Sequence, residues 1–246
     1  EFDVVFPVNR DVIIQASYTL EGEGELPFIW FNYIFSTGAG WKDSIGSATI
    51  YVRFPYEISE LNVLPSDNRY GKDIFPEHQL SGTELKWTIT DFEPEIQDNF
   101  KITIAAPSAW YEVLDERENI EKNALDGEAW GRLAKIYKEL AFSSRRRGFR
   151  YYDYSNDPGV QELYKLSVQA YEKAIAIKVQ DPLWHAGYAD LLAYYSYHAG
   201  YEGIDTRIEA VRALKEIRMA LEISEDNFKV REIADERPAL LRIITV

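Results

Sequence analysis

An arginine- and aromatic-rich segment is the part of this sequence best suited to chemical recognition. Residues 145–154, RRRGFRYYDY, hold four arginines and four aromatic side chains. Guanidinium groups form paired hydrogen bonds to carboxylates and stack on aromatic rings. Arg and Tyr are also enriched among the residues that dominate binding at protein interfaces. The segment therefore indicates docking of an acidic or anionic partner, with these candidate contacts: Arg145, Arg147, Arg150, Tyr151 and Tyr152.

A second interpretation of the segment stays open, in which its arginines pair with this chain's own carboxylates. The net charge is −14, and residues 1–107 carry most of it, with 7 Lys/Arg against 17 Asp/Glu. The arginines would then fix the two halves of the protein together. Nucleic acid is not expected as a partner, because so acidic a chain repels phosphate backbones.

Three tyrosines crowd one predicted helix, residues 183–198. Tyr194, Tyr195 and Tyr197 stand almost side by side in the sequence. A helical period of 3.6 residues cannot turn all three toward a single neighbouring element. We therefore predict that these tyrosines are exposed and contact a partner.

No catalytic, cofactor-binding or metal-binding residue is predicted. The chain has no cysteine, which excludes thiolate chemistry and disulfides. His78, His185 and His198 lack the i, i+4 spacing of a helical zinc site, and neither a nucleophile-elbow nor a phosphate-loop motif is present. The acidic clusters at 21–25 and 91–98 do not fit a calcium-binding loop and are interpreted as solvated surface. The sequence thus predicts a protein that is not an enzyme.

The elements that position these residues change type near Pro107. Before it, apolar residues alternate with polar ones, which is typical of half-buried strands. The predicted strands are 12–20, 28–35, 47–54, 84–90 and 99–105, with 61–64 as a weaker candidate. Short strands separated by turns favour an antiparallel β-sandwich over residues 1–107.

From Ser108 onward the apolar residues recur with the helical period. The predicted helices are 110–125, 128–142, 160–179, 183–198, 208–223 and 228–234. Ser108, Asp126 and Asp205 stand where N-caps are expected, and Gly200 stands where a helix should stop. The predicted fold is α+β with two domains, a β-sandwich (1–107) and an all-α domain (108–246).

The helical half resembles tetratricopeptide (TPR) repeat proteins. Trp130, Leu133, Ala134 and Tyr137 match the first-helix pattern W-x2-L-[GA]-x2-Y, and 171–177, YEKAIAI, is similar to the second helix. A second unit opens at Trp184 and closes with 220–227, ALEISEDN. The resemblance implies stacked helical hairpins whose concave surface binds a protein or peptide. It also implies that four side chains belong to the core: Trp130, Tyr137, Tyr171 and Trp184.

The repeat spacing is longer than the TPR period. Trp130 and Trp184 are 54 positions apart, whereas TPR units repeat about every 34 residues. We assign the excess to lengthened turns at 145–159 and 200–205.

A glycine-containing loop in the β half supports an alternative function. The segment 33–55 is similar to one in uncharacterised extracytoplasmic bacterial proteins, where such a loop joins two sandwich strands. That resemblance implies a secreted or cell-envelope location. Gly38 and Gly40 are interpreted as hairpin glycines with positive φ rather than as an anion cradle. Trp41 could stack on a sugar, which would make the chain a carbohydrate- or envelope-binding module.

Taken together, these patterns predict a non-catalytic interaction or scaffold protein that binds a protein or peptide, without a cofactor. No run of 18 uncharged apolar residues exists, so no membrane span is expected within this chain. A signal peptide before the chain, or an anchor after it, is left open by a first residue other than Met and by the apolar run 240–246.

Overall fold

The computed structural model describes residues 8, 10–17, 19, 21–40, 43–64, 82–95, 99–143 and 157–236. In this part of the chain five strands precede six α-helices. The strands are β1 (Glu23–Glu25), β2 (Phe28–Tyr33), β3 (Ile45–Arg53), β4 (Glu84–Phe92) and β5 (Phe100–Ala105). The helices are α1 (Pro107–Lys122), α2 (Gly127–Phe142), α3 (Pro158–Ile177), α4 (Pro182–Tyr201), α5 (Arg207–Ile223) and α6 (Phe228–Glu236). The predicted α+β order is therefore confirmed.

The strands form two antiparallel sheets, one in the order β1-β2-β5 and one made of β3 and β4. In the first half of β4 the alternate side chains Leu85 and Trp87 are buried, because successive residues of a strand point to opposite faces. Rings from the two sheets meet in the interior. Trp87 lies 4.9 Å from Phe100, and Phe35 lies 5.5 Å from Phe92, both measured between ring centroids.

One predicted strand is wrong in the residues that the structure describes. Residues 12–17 and 19 form no strand, although the sequence predicts one over 12–20. The side chain of Ile13 is 94% exposed and that of Ile14 is 52% exposed. The other four strands are confirmed, and the weaker candidate 61–64 contributes one isolated bridge, between Val63 and Ile104.

The glycine loop is not a hairpin. β2 pairs with β5 and β3 pairs with β4, so the loop connects two different sheets. Residues Ser36–Gly40 form a short 3-10 helix, and neither Gly38 nor Gly40 has positive φ. A Cβ on Gly38 would lie 3.2 Å from both Ile45 and Pro94, so a larger residue there would require these side chains to shift.

The six predicted helices are confirmed, with changes at their ends. Asp126 caps α2 by accepting hydrogen bonds from the amides of Glu128 and Ala129. Ser108 is not a cap, since α1 already begins at Pro107 behind Ala106. Two further expected end residues are corrected in the same way: Thr206 rather than Asp205 is the N-cap of α5, and Gly203 rather than Gly200 adopts positive φ after α4.

Helices adjacent in sequence pack as antiparallel pairs. The start of α2 meets the end of α3 through an ion pair between Glu128 and Lys178. The start of α5 meets the end of α4, where the Thr206 hydroxyl donates to the Ser196 carbonyl at 3.2 Å. The α6 side chain Val230 is buried against both helices of the second pair.

Helix α1 connects the sheets to the remaining helices. The Tyr56 hydroxyl donates to the Ala105 carbonyl at 2.7 Å, and the Tyr56 ring lies 6.1 Å from that of Trp110 in α1. On the other side, Arg117 of α1 donates to the Tyr137 hydroxyl of α2 at 2.8 Å. Buried side chains form one connected cluster across this region. The change of element type at residue 107 is confirmed, and the division into two domains stays a prediction.

Candidate binding surface

Helices α2 and α4 lie side by side, run in the same direction and are in register. A Cβ on Gly131 would contact the indole of Trp184, and Lys138 forms an ion pair with Asp190 at 2.5 Å. Phe142 and Tyr194 follow, with ring centroids 4.9 Å apart. The α4 partner lies 53, 52 and 52 positions beyond the α2 residue (184−131, 190−138 and 194−142). The two helices therefore occupy equivalent places in successive hairpins.

One face of α4 is buried against α3 by two stacked tyrosine pairs. Tyr188 stacks on Tyr171 with centroids 5.7 Å apart, and Tyr195 stacks on Tyr164 at 4.1 Å. The predicted exposure of Tyr195 is wrong, because only 8% of its surface is accessible. One residue along a helix rotates the side chain by about 100°, since a turn takes 3.6 residues. Tyr195 thus faces α3 while Tyr194 faces α2.

The neighbouring side of α4, which faces α2, carries a group of packed rings that we call the α4 aromatic cluster. It consists of Phe142, Tyr194, Tyr197, His198 and Tyr201. Tyr194 lies 4.2 Å from His198, and Tyr197 lies 5.1 Å from both His198 and Tyr201, all between centroids. The spacing 194, 197, 201 places these tyrosines along one helical stripe. The cluster is therefore continuous from the end of α2 to the end of α4.

The cluster runs from the core to the solvent. Phe142 and His198 are buried, Tyr194 is half-buried, and Tyr197 and Tyr201 are 41% and 67% exposed. A buried base holds the outer rings in place, which lowers the entropy that they lose on binding. Tyr rings provide apolar contact area together with a hydroxyl that can donate or accept a hydrogen bond. Such a surface can bind a peptide by stacking and by hydrogen bonds, with no covalent chemistry.

Two buried tyrosine hydroxyls lie beside this surface. Burial raises the pKa of both Tyr171 and Tyr188, so these hydroxyls stay protonated at neutral pH. The Tyr188 hydroxyl donates to Glu172, which also forms an ion pair with Arg212 of α5 at 2.8 Å. This network ties α3, α4 and α5 together. Among residues 157–236 and the other described ranges, no group of three potential ligands could hold a metal ion.

Most of the remaining predicted contacts lie outside the described residues. These are Arg145, Arg147, Arg150, Tyr151 and Tyr152, together with the alternative sugar-stacking residue Trp41. Their roles stay predictions. The arginine-rich segment nevertheless belongs to the connection that begins at Ser143, directly after Phe142 of the cluster. The two sequence-predicted regions, the segment and the tyrosines of α4, are therefore linked to the same end of the helix pair.

Sequence reasoning missed three members of the cluster: Phe142, His198 and Tyr201. The positions 194, 197, 198 and 201 follow the i, i+3, i+4, i+7 pattern of one helix face, so His198 and Tyr201 carried a readable signal. Phe142 carried none, because its place depends on the register between α2 and α4. Of the four residues expected in the core, Tyr137 and Tyr171 are confirmed as buried. Trp130 and Trp184 are partly buried and pack against the core.

Searches with this sequence matched no protein-family model and no curated protein. Within the described residues, the helices are all too short or too polar to cross a membrane.

Proposed function

We propose that this chain is a non-catalytic interaction or scaffold protein that binds a protein or peptide through a TPR-like helical region. The observation that carries this proposal is the in-register packing of α2 on α4 at an offset of 52 or 53 positions. Equivalent helices of successive hairpins that lie side by side are the defining feature of stacked helical repeats. This offset is close to the 54 positions between Trp130 and Trp184 in the sequence.

The order of packing supports the same proposal. Antiparallel pairs, α2 with α3 and α4 with α5, follow one another along the chain, and α6 covers the second pair through Val230. Two hairpins are fewer than the three or so that a free-standing array needs. Helix α1 on one side and α6 on the other would then act as caps, with α1 also held by Tyr56 of the β region.

The α4 aromatic cluster is the surface that we assign to the partner. Exposed Tyr197 packs on buried His198, which itself packs on Phe142, and Tyr201 packs on Tyr197, so the outer rings have a fixed base. Aromatic anchors of this kind dominate the binding energy of protein interfaces. An acidic partner would also be attracted by the arginines of the connection that starts at Ser143.

For the β region we propose a small β-sandwich in a protein of the bacterial cell envelope. The ring contact between Trp87 of β4 and Phe100 of β5 supports face-to-face sheets, because it joins the two sheets through their inner side chains. The location rests on the resemblance of the segment 33–55 to extracytoplasmic proteins.

The test is a peptide selection followed by measured affinities. A displayed library of random peptides is selected on the full chain, and one enriched peptide is synthesised. We expect the double variant Tyr197→Ala/Tyr201→Ala to bind this peptide about tenfold more weakly or worse, because loss of an aromatic anchor has an effect of this size. The matched control is Tyr33→Ala/Tyr51→Ala, which removes two tyrosines of the β region that are each 49% exposed.

Two outcomes would reject the proposal. One is that no peptide is enriched over a blank support. The other is that the control pair weakens binding as much as the α4 pair does, which would move the binding surface to the β region. Circular dichroism of both variants shows whether the fold is retained.

A further inference from the structure

The outer edge of β3 pairs with no other strand among the residues that the structure describes. In the residues that the structure describes, β3 belongs to a sheet of two strands and pairs with β4 alone. Its other edge presents backbone amides and carbonyls that can pair with an added strand. Natural edge strands are commonly protected by lysine, proline or a bulge. The nine residues of β3, IGSATIYVR, contain neither lysine nor proline, and the single charge, Arg53, pairs with Glu84 at 2.7 Å.

The inner face of β3 is only half covered. Ala48, Ile50 and Val52 are each half-buried, while their alternates Thr49 and Tyr51 are exposed. A neighbouring strand with apolar side chains on the same face would complete the burial of Ala48, Ile50 and Val52. Within the described part of the chain, the edge thus has neither a hydrogen-bonding partner nor a hydrophobic neighbour.

The same chain carries a segment that fits this edge. Residues 12–20, VIIQASYTL, equal β3 in length and alternate in the same way. Val12, Ile14, Ala16, Tyr18 and Leu20 would form one apolar face, and Gln15, Ser17 and Thr19 would lie on the other together with Ile13. β-branched and aromatic residues favour extended pairing. Yet residues 12–17 and 19 form no strand, and Ile13 and Ile14 are largely exposed.

We propose that residues 12–20 of one copy add as a strand to the β3 edge of a second copy. Pairing within one chain would need no association of two molecules, so it would be preferred if the connection allowed it. The described residues 12–17 and 19 nevertheless form no strand. Only Glu21 and Gly22 separate it from β1, which belongs to the other sheet. Two copies supply two segments and two edges, so the exchange is reciprocal and closes as a symmetric dimer. This inference does not depend on the proposed binding function of the helices.

Engineered cysteines test the contact directly, because the natural chain contains none. One tagged copy carries Gln15→Cys, and a second copy carries Ser47→Cys, Thr49→Cys or Tyr51→Cys. We expect a mixed disulfide dimer under mild oxidation for at least one of the three edge positions. The matched control replaces the edge cysteine by Lys135→Cys, an exposed position on α2, and should give only background cross-linking.

A proline variant tests the strand without disturbing the rest of the fold. Gln15→Pro removes a backbone donor from a residue that is exposed and outside any strand. We expect the wild-type chain to sediment as a dimer and the Gln15→Pro variant as a monomer, with an unchanged circular dichroism spectrum of the helices. Arg10→Pro, just before the segment, should leave the dimer intact.

Three results would overturn the proposal. The first is a wild-type chain that sediments as a monomer at every concentration. The second is a dimer that survives Gln15→Pro. The third is an intramolecular disulfide in dilute Gln15→Cys/Thr49→Cys together with no cross-link between the mixed single variants, which would show that the segment docks on its own chain.

Discussion

The indole of Trp184 fills the space that a side chain at position 131 would need. A Cβ built on Gly131 would lie 2.4 Å from two indole carbons, a distance at which one helix must move. Gly131 has an ordinary helical backbone, so glycine is required there for close approach of α2 to α4 and not for its conformational freedom. The contact also fixes the register on which the proposed stacking rests.

Gly131→Ala should therefore destabilise the protein. We expect the free energy of unfolding to fall by about 1–3 kcal/mol, which is typical of overpacking in a filled interior. Gly200→Ala is the matched control in α4, because a Cβ there meets only the Thr206 hydroxyl at 3.8 Å. It should raise the free energy of unfolding by about 0.5–1 kcal/mol through helix propensity. Urea denaturation measures the free energy of unfolding of both variants. If Gly131→Ala stabilises the protein as Gly200→Ala does, the packing argument is wrong.

The buried pair of His185 and Glu216 should tolerate joint replacement better than single replacement. His185 Nδ1 lies 2.7 Å from the Glu216 carboxylate, and Nε2 lies 3.1 Å from the Val179 carbonyl. Glu216→Leu leaves the imidazole buried without this hydrogen-bond partner, and we expect a loss of about 1–3 kcal/mol in the free energy of unfolding. The double variant His185→Leu/Glu216→Leu should lose less.

A thermodynamic cycle of the two single variants and the double variant measures this coupling. Glu118→Ala, which breaks a fully solvated pair with Lys122, serves as the control and should leave stability nearly unchanged. Additive effects in the cycle would mean that the pair does not act as a unit.

Alkaline pH should unfold the protein through its buried tyrosines. Burial, with a smaller contribution from Tyr111, raises the pKa of Tyr56 to about 12, and burial also raises the pKa values of Tyr137, Tyr171 and Tyr188. The unfolded chain titrates near the ordinary value of about 10. The stability that these hydroxyls contribute is therefore complete below about pH 10 and is lost as the pH rises from there.

Phenolate absorbance and helical circular dichroism, followed together against pH, measure the effect. The last phenolates should form only as the helices are lost. Ionisation of all 17 tyrosines in a chain that keeps its native spectrum would contradict the assignment of buried hydroxyls.

The triple variant Arg145→Ala/Arg147→Ala/Arg150→Ala separates the two interpretations of the arginine-rich segment. If the arginines bind an external acidic partner, affinity for a synthetic poly-glutamate peptide should fall and the free energy of unfolding should stay constant. If they pair with the chain's own carboxylates, the free energy of unfolding should fall instead. Isothermal titration and urea denaturation give the two quantities, and salt should weaken the binding in the first case.

The alternative sugar-binding function has its own test at Trp41. Retention on a glycan array that is lost in Trp41→Ala, with Trp30→Ala as a control tryptophan of β2, would favour a carbohydrate-binding module. Equal signals from wild type and Trp41→Ala would leave that function without support.

Local signals in the sequence were enough to predict the helices and most of the strands. Asp126 precedes an apolar-periodic run and does cap α2, because capping depends on residues within one turn. The exact stop of α4 was misread, since Gly200 and Gly203 offer the same signal and only the second adopts positive φ.

Features that depend on distant partners could not be predicted in this way. The orientation of Tyr195 depends on the helical phase, and its burial depends on Tyr164 of another helix. The pairing of β2 with β5 rather than with β3 is likewise a long-range choice, because both partners alternate equally well. Residues 12–20 show the reverse case, in which a strong strand pattern is present in the sequence but the described residues 12–17 and 19 form no strand.

Helices α2 and α4 pack side by side, although the connections that follow them differ greatly in length. The connection after α2 is residues 143–157, and the connection after α4 is residues 202–206. The helix frame is thus insensitive to the size of the connection that closes each hairpin. Such a frame offers a grafting position: a foreign epitope or an affinity tag exchanged for part of 144–156 should be displayed without shifting Trp184 from Gly131. Natural variation could lengthen the same connection and so acquire new ligands while the scaffold stays constant.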